Sequence, residues 1–308
     1  MSNDNTGRYD PASPPFRPPW PVEVDLHLHT TASDGTLSPT QLIERIAATS
    51  LRIIAVTDHD STEGLDEAMA AAGQHPQLTI IPGIEFGSEE GESEVHLLGY
   101  FIDYRSSVLQ ESLSRFREQR VESARQTVQK LAALGVPVSW DRVRELAGGA
   151  VGRPHIARAM VEEGHVANVP EAFDRYLGSG GAARVPRPKF TPVQALELVH
   201  RSGGIGAVAH PRTVKDVKNV VAKLAEAGLA GIEVYAEKYG AEQQGMYRQM
   251  AAKYNLVECG GSDFHNFGNE NEVTPGTSGP PRETARLLLE RARSMHGDNV
   301  GFVPGRPL

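Results

Sequence analysis

The chain has 308 residues, 39% of them hydrophobic and 23% charged, with a formal net charge of −8. These proportions exclude a disordered chain and a membrane fold, and the acidic balance argues against a general nucleic-acid-binding surface. The single cysteine, Cys259, cannot close an intrachain disulfide. In its apolar run before Gly260-Gly261 it reads as a small buried hydrophobe, in a chain expected to be cytoplasmic.

Residues 1–21 are polar and then Pro-rich, without the basic start and apolar core of a targeting segment, and are expected to form a flexible tail. From Val22 onward, short apolar runs alternate with helical segments. Val22–Leu28, Ile53–Thr57, Thr79–Glu85, Val95–Tyr100, Ile205–His210, Gly231–Tyr235 and Leu256–Gly260 read as strands, rich in aliphatic or β-branched residues and bounded by turn residues. Seven strands alternating with helices imply an α/β fold, a mainly parallel barrel-like sheet with helices outside it. Ser38-Pro39 and Thr191-Pro192 each offer an N-cap followed by proline at the first helical position, so helices are expected to start at both.

The alternation breaks after Tyr104. From Val108 to Leu134, Leu109, Leu113, Phe116, Ala124, Val128 and Leu131 recur at helical spacing, and Gly135 with Pro137 ends the run. Shorter helices are expected around Asp141–Leu146, Ile156–Glu162 and Pro170–Tyr176. Residues 104–190 therefore read as an all-helical insertion between two barrel parts, 22–103 and 191–308. This insertion holds 14 Lys/Arg against 9 Asp/Glu, a basic segment in an acidic chain. Arg120 interrupts the apolar stripe of its long helix, aimed either at a site or out to solvent.

Residues able to bind metal sit at or just beyond the strand ends, where α/β barrels place their catalytic groups. His27 and His29 alternate along one strand, so both imidazoles project to the same side. Asp34 follows in a turn, Asp58-His59-Asp60 ends the second strand, Glu85 ends the third and His96 lies in the fourth. His210 ends the fifth, and Asp263-Phe264-His265 follows the last. Ionisable groups at so many strand ends are costly unless paired or metal-bound, so convergence on divalent ions is the expected arrangement.

Together, Asp25-Leu26-His27-Leu28-His29-Thr30, Thr57-Asp58-His59-Asp60, Pro82-Gly83-Ile84-Glu85, His96-Leu97-Leu98-Gly99-Tyr100, Ala209-His210-Pro211 and Gly261-Ser262-Asp263-Phe264-His265 resemble the polymerase-and-histidinol-phosphatase (PHP) family. The resemblance implies a distorted (β/α)7 TIM-like barrel, here with a small all-α cap inserted, and two or three divalent ions. It implies one ion held by His27, His29, Glu85 and Asp263, a second by Glu85, His96 and His210, and a third by Asp34, His59 and His265. Mixed imidazole and carboxylate ligands suit manganese, with iron or zinc as alternatives. Asp58 is expected to orient a ligating histidine from behind.

Gly152-Arg153-Pro154-His155-Ile156-Ala157 is similar to the cap element of the PHP subgroup acting on nucleoside monophosphates and 3′,5′-bisphosphates. Arg153 offers a bidentate fork to phosphate oxygens, and His155 can donate a hydrogen bond or proton to a leaving oxygen. Arg187, Lys189 and Arg212 are further candidates to meet a second phosphate, and Tyr235 is a candidate to stack on a base. His75, His165, His200 and His296 read as surface residues.

The expected activity is a phosphomonoesterase removing the 3′-phosphate of nucleoside 3′,5′-bisphosphates, with Glu85, Arg153 and His155 as its central residues. The alternatives are a histidinol-phosphate phosphatase, a 5′-3′ exoribonuclease on short RNA, and a non-catalytic metal-binding module. The expected partners are small nucleotides or RNA 5′ ends, with no membrane and no stable protein partner.

Overall fold

A computed structural model describes residues 17–308, except 92, 148–150, 179, 186–189, 237, 269–271 and 306–307. All seven expected strands form: β1 (Val24–Leu28), β2 (Ile53–Val56), β3 (Thr79–Glu90), β4 (Ser93–Tyr100), β5 (Ile205–Val208), β6 (Gly231–Tyr235) and β7 (Val257–Gly260). They pair in sequence order within one sheet. Beyond β7 the chain folds back onto β1, where Asp263 N–H donates to the His27 carbonyl and His29 N–H to the Phe264 carbonyl, each at 3.0 Å, nearly closing a barrel.

The sheet is less parallel than expected. β4 runs antiparallel to both β3 and β5. The physical reason is the short turn after Glu90, since a tight connection can only return the chain antiparallel, and a parallel neighbour needs a long crossover. β3 also continues past Glu85, which therefore lies within the strand and not at its end. Because β4 runs the other way, its beginning, with His96, lies at the same mouth as the ends of the parallel strands.

Ser38 and Thr191 cap α1 (Pro39–Ala47) and α7 (Pro192–Arg201), each in a capping box closed by a glutamine three residues on. With α2 (Leu65–Ala72), α8 (Val217–Glu226), α9 (Ala241–Tyr254) and α10 (Glu283–His296) they surround the sheet. The long helix α3 (Ser107–Ala133) serves two cores: Leu109 and Leu113 pack into the barrel core. Its second half, through Ala124, Val128 and Leu131, joins α4 (Trp140–Ala147), α5 (Arg153–Glu162) and α6 (Val169–Ala172) in a separate cap core.

Several smaller expectations are corrected. The end of the supposed tail is packed: the Trp20 indole N–H donates to the Gly279 carbonyl at 3.3 Å, and its ring meets Tyr235 edge-on. Tyr235 is thereby engaged, and its hydroxyl donates to Glu258 at 2.5 Å, so it is not a free platform for a base. Of the four histidines expected at the surface, all are partly buried, and His200 meets His296 between α7 and α10 with ring centroids 6.1 Å apart. His200 and His296 lie on α7 and α10, each of which has one face on a core, whereas His75 and His165 lie in the loops after α2 and α5. Residues 1–16 of the tail lie outside the described residues. Cys259 is buried, as expected, and burial pushes its thiol pKa well above the ordinary range, leaving it an inert hydrophobe.

Candidate functional site

The period-two alternation of β1 turns His27 and His29 into the barrel mouth together. Beyond β2 the chain stays beside β3: Asp60 N–H donates to the Glu85 carbonyl at 2.9 Å and Glu85 N–H to the Asp58 carbonyl at 3.2 Å. This zipper sets His59 next to Glu85. Gly261 allows the return after β7, since a Cβ there would lie 2.6 Å from the His27 backbone nitrogen. Asp60, His210 and Asp263 all adopt left-handed backbone conformations that disfavour side chains with a Cβ. Such strain persists only where the surroundings hold it. The His210 N–H is held by Glu233 Oε2 at 2.5 Å, and Asp263 by its hydrogen bond to His27.

Glu85 is fully buried at the centre. Its Oε2 lies 3.0 Å from His27 Nε2, 3.2 Å from His29 Nε2 and 3.2 Å from His59 Nδ1. Its Oε1 lies 2.8 Å from His96 Nδ1 and 2.9 Å from His210 Nε2. Asp263 Oδ1 is 3.5 Å from His27 and 3.4 Å from His29. Asp34 Oδ1 is 3.2 Å from His265 Nε2, and its Oδ2 is 3.8 Å from His59. All nine residues expected to ligate metal are thus brought together.

Three overlapping sets could each hold an ion: His27, His29, Glu85 and Asp263; His29, Asp34, His59 and His265; and His59, Glu85 and His96. The first matches the expected grouping. In the third, His59 stands where His210 was expected, although His210 touches the same glutamate.

Burial opposes charge on His27, His29, Asp34, His59, Glu85, His96 and Asp263, and mutual attraction overcomes it at all of these but His59. The Glu85, Glu233 and Asp263 carboxylates hold His27 well above the histidine range. Glu85 and Asp263 lift His29 to about 10, and Glu85 with Glu94 lifts His96 to about 9. Asp34, Glu85 and Asp263 fall below the usual carboxylate range beside the imidazoles, despite their burial. His59 is dominated by burial, down to about 4. The carboxylates therefore demand positive charge at this spot. His29 Nε2 is buried without a hydrogen-bond partner while facing Glu85 and Asp263. An orphaned imidazole nitrogen between two carboxylates fits a cation, so the residues present suit divalent ions.

Asp58 reaches a histidine only through a bridge. Its carboxylate accepts from Thr30 N–H at 2.7 Å, Thr30 Oγ1 at 2.7 Å and Ser33 Oγ at 2.6 Å, so it braces the turn carrying Asp34, and that Ser33 hydroxyl lies 3.5 Å from His29 Nδ1. It lies beneath that turn, which offers three donors first. The residue that holds a histidine from behind directly is Glu233, buried in β6, whose Oε1 is 3.0 Å from His27 Nδ1. Sequence reasoning passed over it inside a strand. The available signal was a lone acid in the apolar run Gly231–Tyr235, which is costly to bury without a partner.

Between the mouth and the cap lies a cavity of about 250 Å³, lined by Asp34, His59 and His96 on one side and by Arg120, Arg153 and His155 on the other. Arg153 and His155 occupy the first turn of α5, whose N-terminus is favourable to anions. His155 Nδ1 accepts from Gly152 N–H at 3.1 Å, and burial lowers its pKa to about 4. The ring is therefore neutral with its proton on Nε2, a hydrogen-bond donor. Arg153 reaches Glu94 at 3.3 Å and the Leu177 carbonyl at 3.4 Å.

Arg120 takes the inward of its two readings, paired with Asp60 and lining the cavity. Arg212 instead lies among the groups that act electrostatically on Tyr239 and Tyr247, and does not line this cavity. Arg187 and Lys189 lie outside the described residues.

Residues 25–179 match the PHP domain family. A 5′-3′ exoribonuclease of Haemophilus influenzae is 36% identical over 250 residues, 79% of this chain and 90% of that protein. A 3′,5′-nucleoside bisphosphate phosphatase of Chromobacterium violaceum is 32% identical over 252 residues, 79% of this chain and 87% of that one. A solved structure from Bifidobacterium adolescentis, proposed to be a metal-dependent phosphoesterase, superposes with a TM-score of 0.78 at 27% identity. It covers 90% of this chain and 98% of its own.

Proposed function

The chain belongs to the PHP domain family of metal-dependent phosphoesterases, and from that membership we propose that it is a phosphomonoesterase of small nucleotides. The preferred reaction is removal of the 3′-phosphate from nucleoside 3′,5′-bisphosphates. The observation that carries this reading is the cavity itself, with acids and imidazoles on one wall and Arg153 with a neutral, donating His155 on the other. A substrate with two phosphates meets both.

In this reading His27, His29, Glu85 and Asp263 hold one ion, Glu85, His96 and His210 a second, and Asp34, His59 and His265 a third. Bound divalent ions, manganese foremost and iron or zinc as alternatives, would supply a water of lowered pKa and neutralise charge on the phosphoryl oxygens. The chain's own residues do the rest. Glu85 fixes five imidazoles around one point, Glu233 fixes the tautomer of His27, Arg153 takes phosphate oxygens as a planar fork, and His155 Nε2–H donates to an ester or phosphate oxygen.

The relative named as a bisphosphate phosphatase supports this choice. The relative named as a 5′-3′ exoribonuclease supports a second reading, the same chemistry on short RNA 5′ ends. A histidinol-phosphate phosphatase fits the arginine-bearing cap less well, and a non-catalytic module does not account for nine converged ligands. Among the described residues no helix is long and apolar enough to cross a membrane. A cytoplasmic setting completes the reading.

A screen at equal concentrations tests it, comparing adenosine 3′,5′-bisphosphate, a 5′-phosphorylated trinucleotide and histidinol phosphate with manganese-loaded protein. The bisphosphate is expected to have the highest kcat/KM. A faster trinucleotide would favour the exoribonuclease reading, and a faster histidinol phosphate would overturn nucleotide specificity.

A further inference from the structure

We propose that Glu89 and Glu94 are specificity-determining residues that occupy, in the free protein, the arginine forks a substrate's second phosphate must take. The inference rests on the cavity being a phosphate-ester site.

Each of the three arginines among the described residues lining the cavity is paired with a barrel carboxylate. Arg153 meets Glu94 at 3.3 Å, Arg184 meets Glu89 at 2.9 Å, and Arg120 meets Asp60. Glu89 and Glu94 come from the β3–β4 hairpin, the part of β3 beyond Glu85 and the part of β4 before His96. The same two strands thus carry the central acid of the mouth and, a few residues further out, the acids that face the cap.

The pairs differ in burial. Arg120 and Asp60 are 12% and 6% exposed, and Asp60 also accepts from Gly87 N–H at 3.1 Å. Removing either partner of such a pair strands a buried charge, so this pair is a permanent clamp. Arg153 and Glu94 are 34% and 42% exposed, and Arg184 and Glu89 are 26% and 31% exposed. Water competes with these two pairs, so each is weak. A phosphate dianion offers a guanidinium two parallel charge-assisted bonds and more charge than one carboxylate.

In the free protein the Arg153 and Arg184 forks thus face carboxylates, and a ligand gains the forks only if it brings an anionic group to replace the glutamates. That arrangement costs binding energy to a ligand whose second group must enter the forks, whereas a ligand lacking one leaves the glutamates in place and is little affected. It selects by charge through a competing group already in place. Glu94 Oε1 is also 3.6 Å from His96 Nε2, so the acid that would leave Arg153 remains beside the mouth.

The test measures KM and kcat of the metal-loaded protein for adenosine 3′,5′-bisphosphate and for adenosine 3′-monophosphate. In Glu89→Gln and Glu94→Gln, KM for the bisphosphate is expected to fall about three- to tenfold, with less than about a twofold change for the monophosphate. Arg184→Gln should raise KM for the bisphosphate. Glu89→Gln decides the matter if Glu94→Gln also lowers kcat through His96, and its own kcat should be unchanged. A bisphosphate KM that is unchanged or raised in Glu89→Gln, in an active protein, overturns this inference alone: the glutamates would then hold the arginines ready for phosphate. A wild-type protein that hydrolyses neither nucleotide overturns the underlying reading and the inference with it.

Discussion

Glu85 at the barrel mouth is fully buried and lies within 3.2 Å of five imidazole rings, whereas Arg153, across the same cavity, is one-third exposed and holds one carboxylate and one carbonyl. The mouth is built from strand positions and short loops locked by backbone hydrogen bonds, with left-handed residues pinned in place. The cap wall is built from long arginine side chains on helices with their own core. The mouth can therefore fix a reaction geometry that tolerates no displacement, while the cap can exchange one anionic partner for another. Arg120 with Asp60 is the joint between them.

The largest expected effect falls on the mouth. Glu85→Gln should lower kcat by about a thousandfold or more while far-UV circular dichroism stays unchanged, because one neutralised carboxylate weakens the two ion sites that share it. Metal content measured on the same sample should fall in parallel. A variant retaining a tenth of the activity would show that Glu85 is not the shared centre.

At the joint, Arg120→Met should destabilise the protein by about 3 kcal/mol, read from urea unfolding, since the buried Asp60 would lose its guanidinium partner. A change under about 0.5 kcal/mol would mean that Asp60 is satisfied by Gly87 N–H and other partners. Behind the mouth, Glu233→Gln should reduce metal affinity or kcat about 10- to 100-fold, as expected for a residue that orients a ligating histidine. That loss should be smaller than for Glu85→Gln.

The smallest effect concerns pH and the cap. Burial holds the His155 pKa at about 4 in the folded protein, below its ordinary value of 6.5. As pH falls below about 6.5 the unfolded chain takes up the proton first, so the contribution of His155 to stability is lost between about pH 6.5 and pH 4 and is constant above that window. Replacing His155 with Gln should lessen the drop in unfolding midpoints between pH 7 and pH 5, the remainder coming from His59 and other groups. An unchanged drop would assign it to other groups.

Much of both regions was legible in the sequence, for reasons particular to each. The β1 histidines alternate at the strand period, and Ser38-Pro39 and Thr191-Pro192 begin capped helices, because each is a local signal governed by neighbours in the chain. The cap stripe on α3 was equally local, though not its division between two cores. Glu233 was not legible as a site residue, since its partners His27 and His210 are far away in sequence and only barrel closure brings them to it. Nor was the role of Asp58, which depended on which donors the Thr30–Ser33 turn would present.

The sequence by itself determined the kind of site: nine side chains of the types that bind metal, at strand-associated positions, and a basic helical segment inserted between two parts of a barrel. Residue type and period suffice for that, because side-chain chemistry and strand or helix geometry are short-range. Only the tertiary structure decided the direction of β4, the central place of Glu85, the inward aim of Arg120 and the pairing of cap arginines with barrel acids. Each depends on distances between segments remote in the chain, where burial and opposite charge, not local propensity, select the partner.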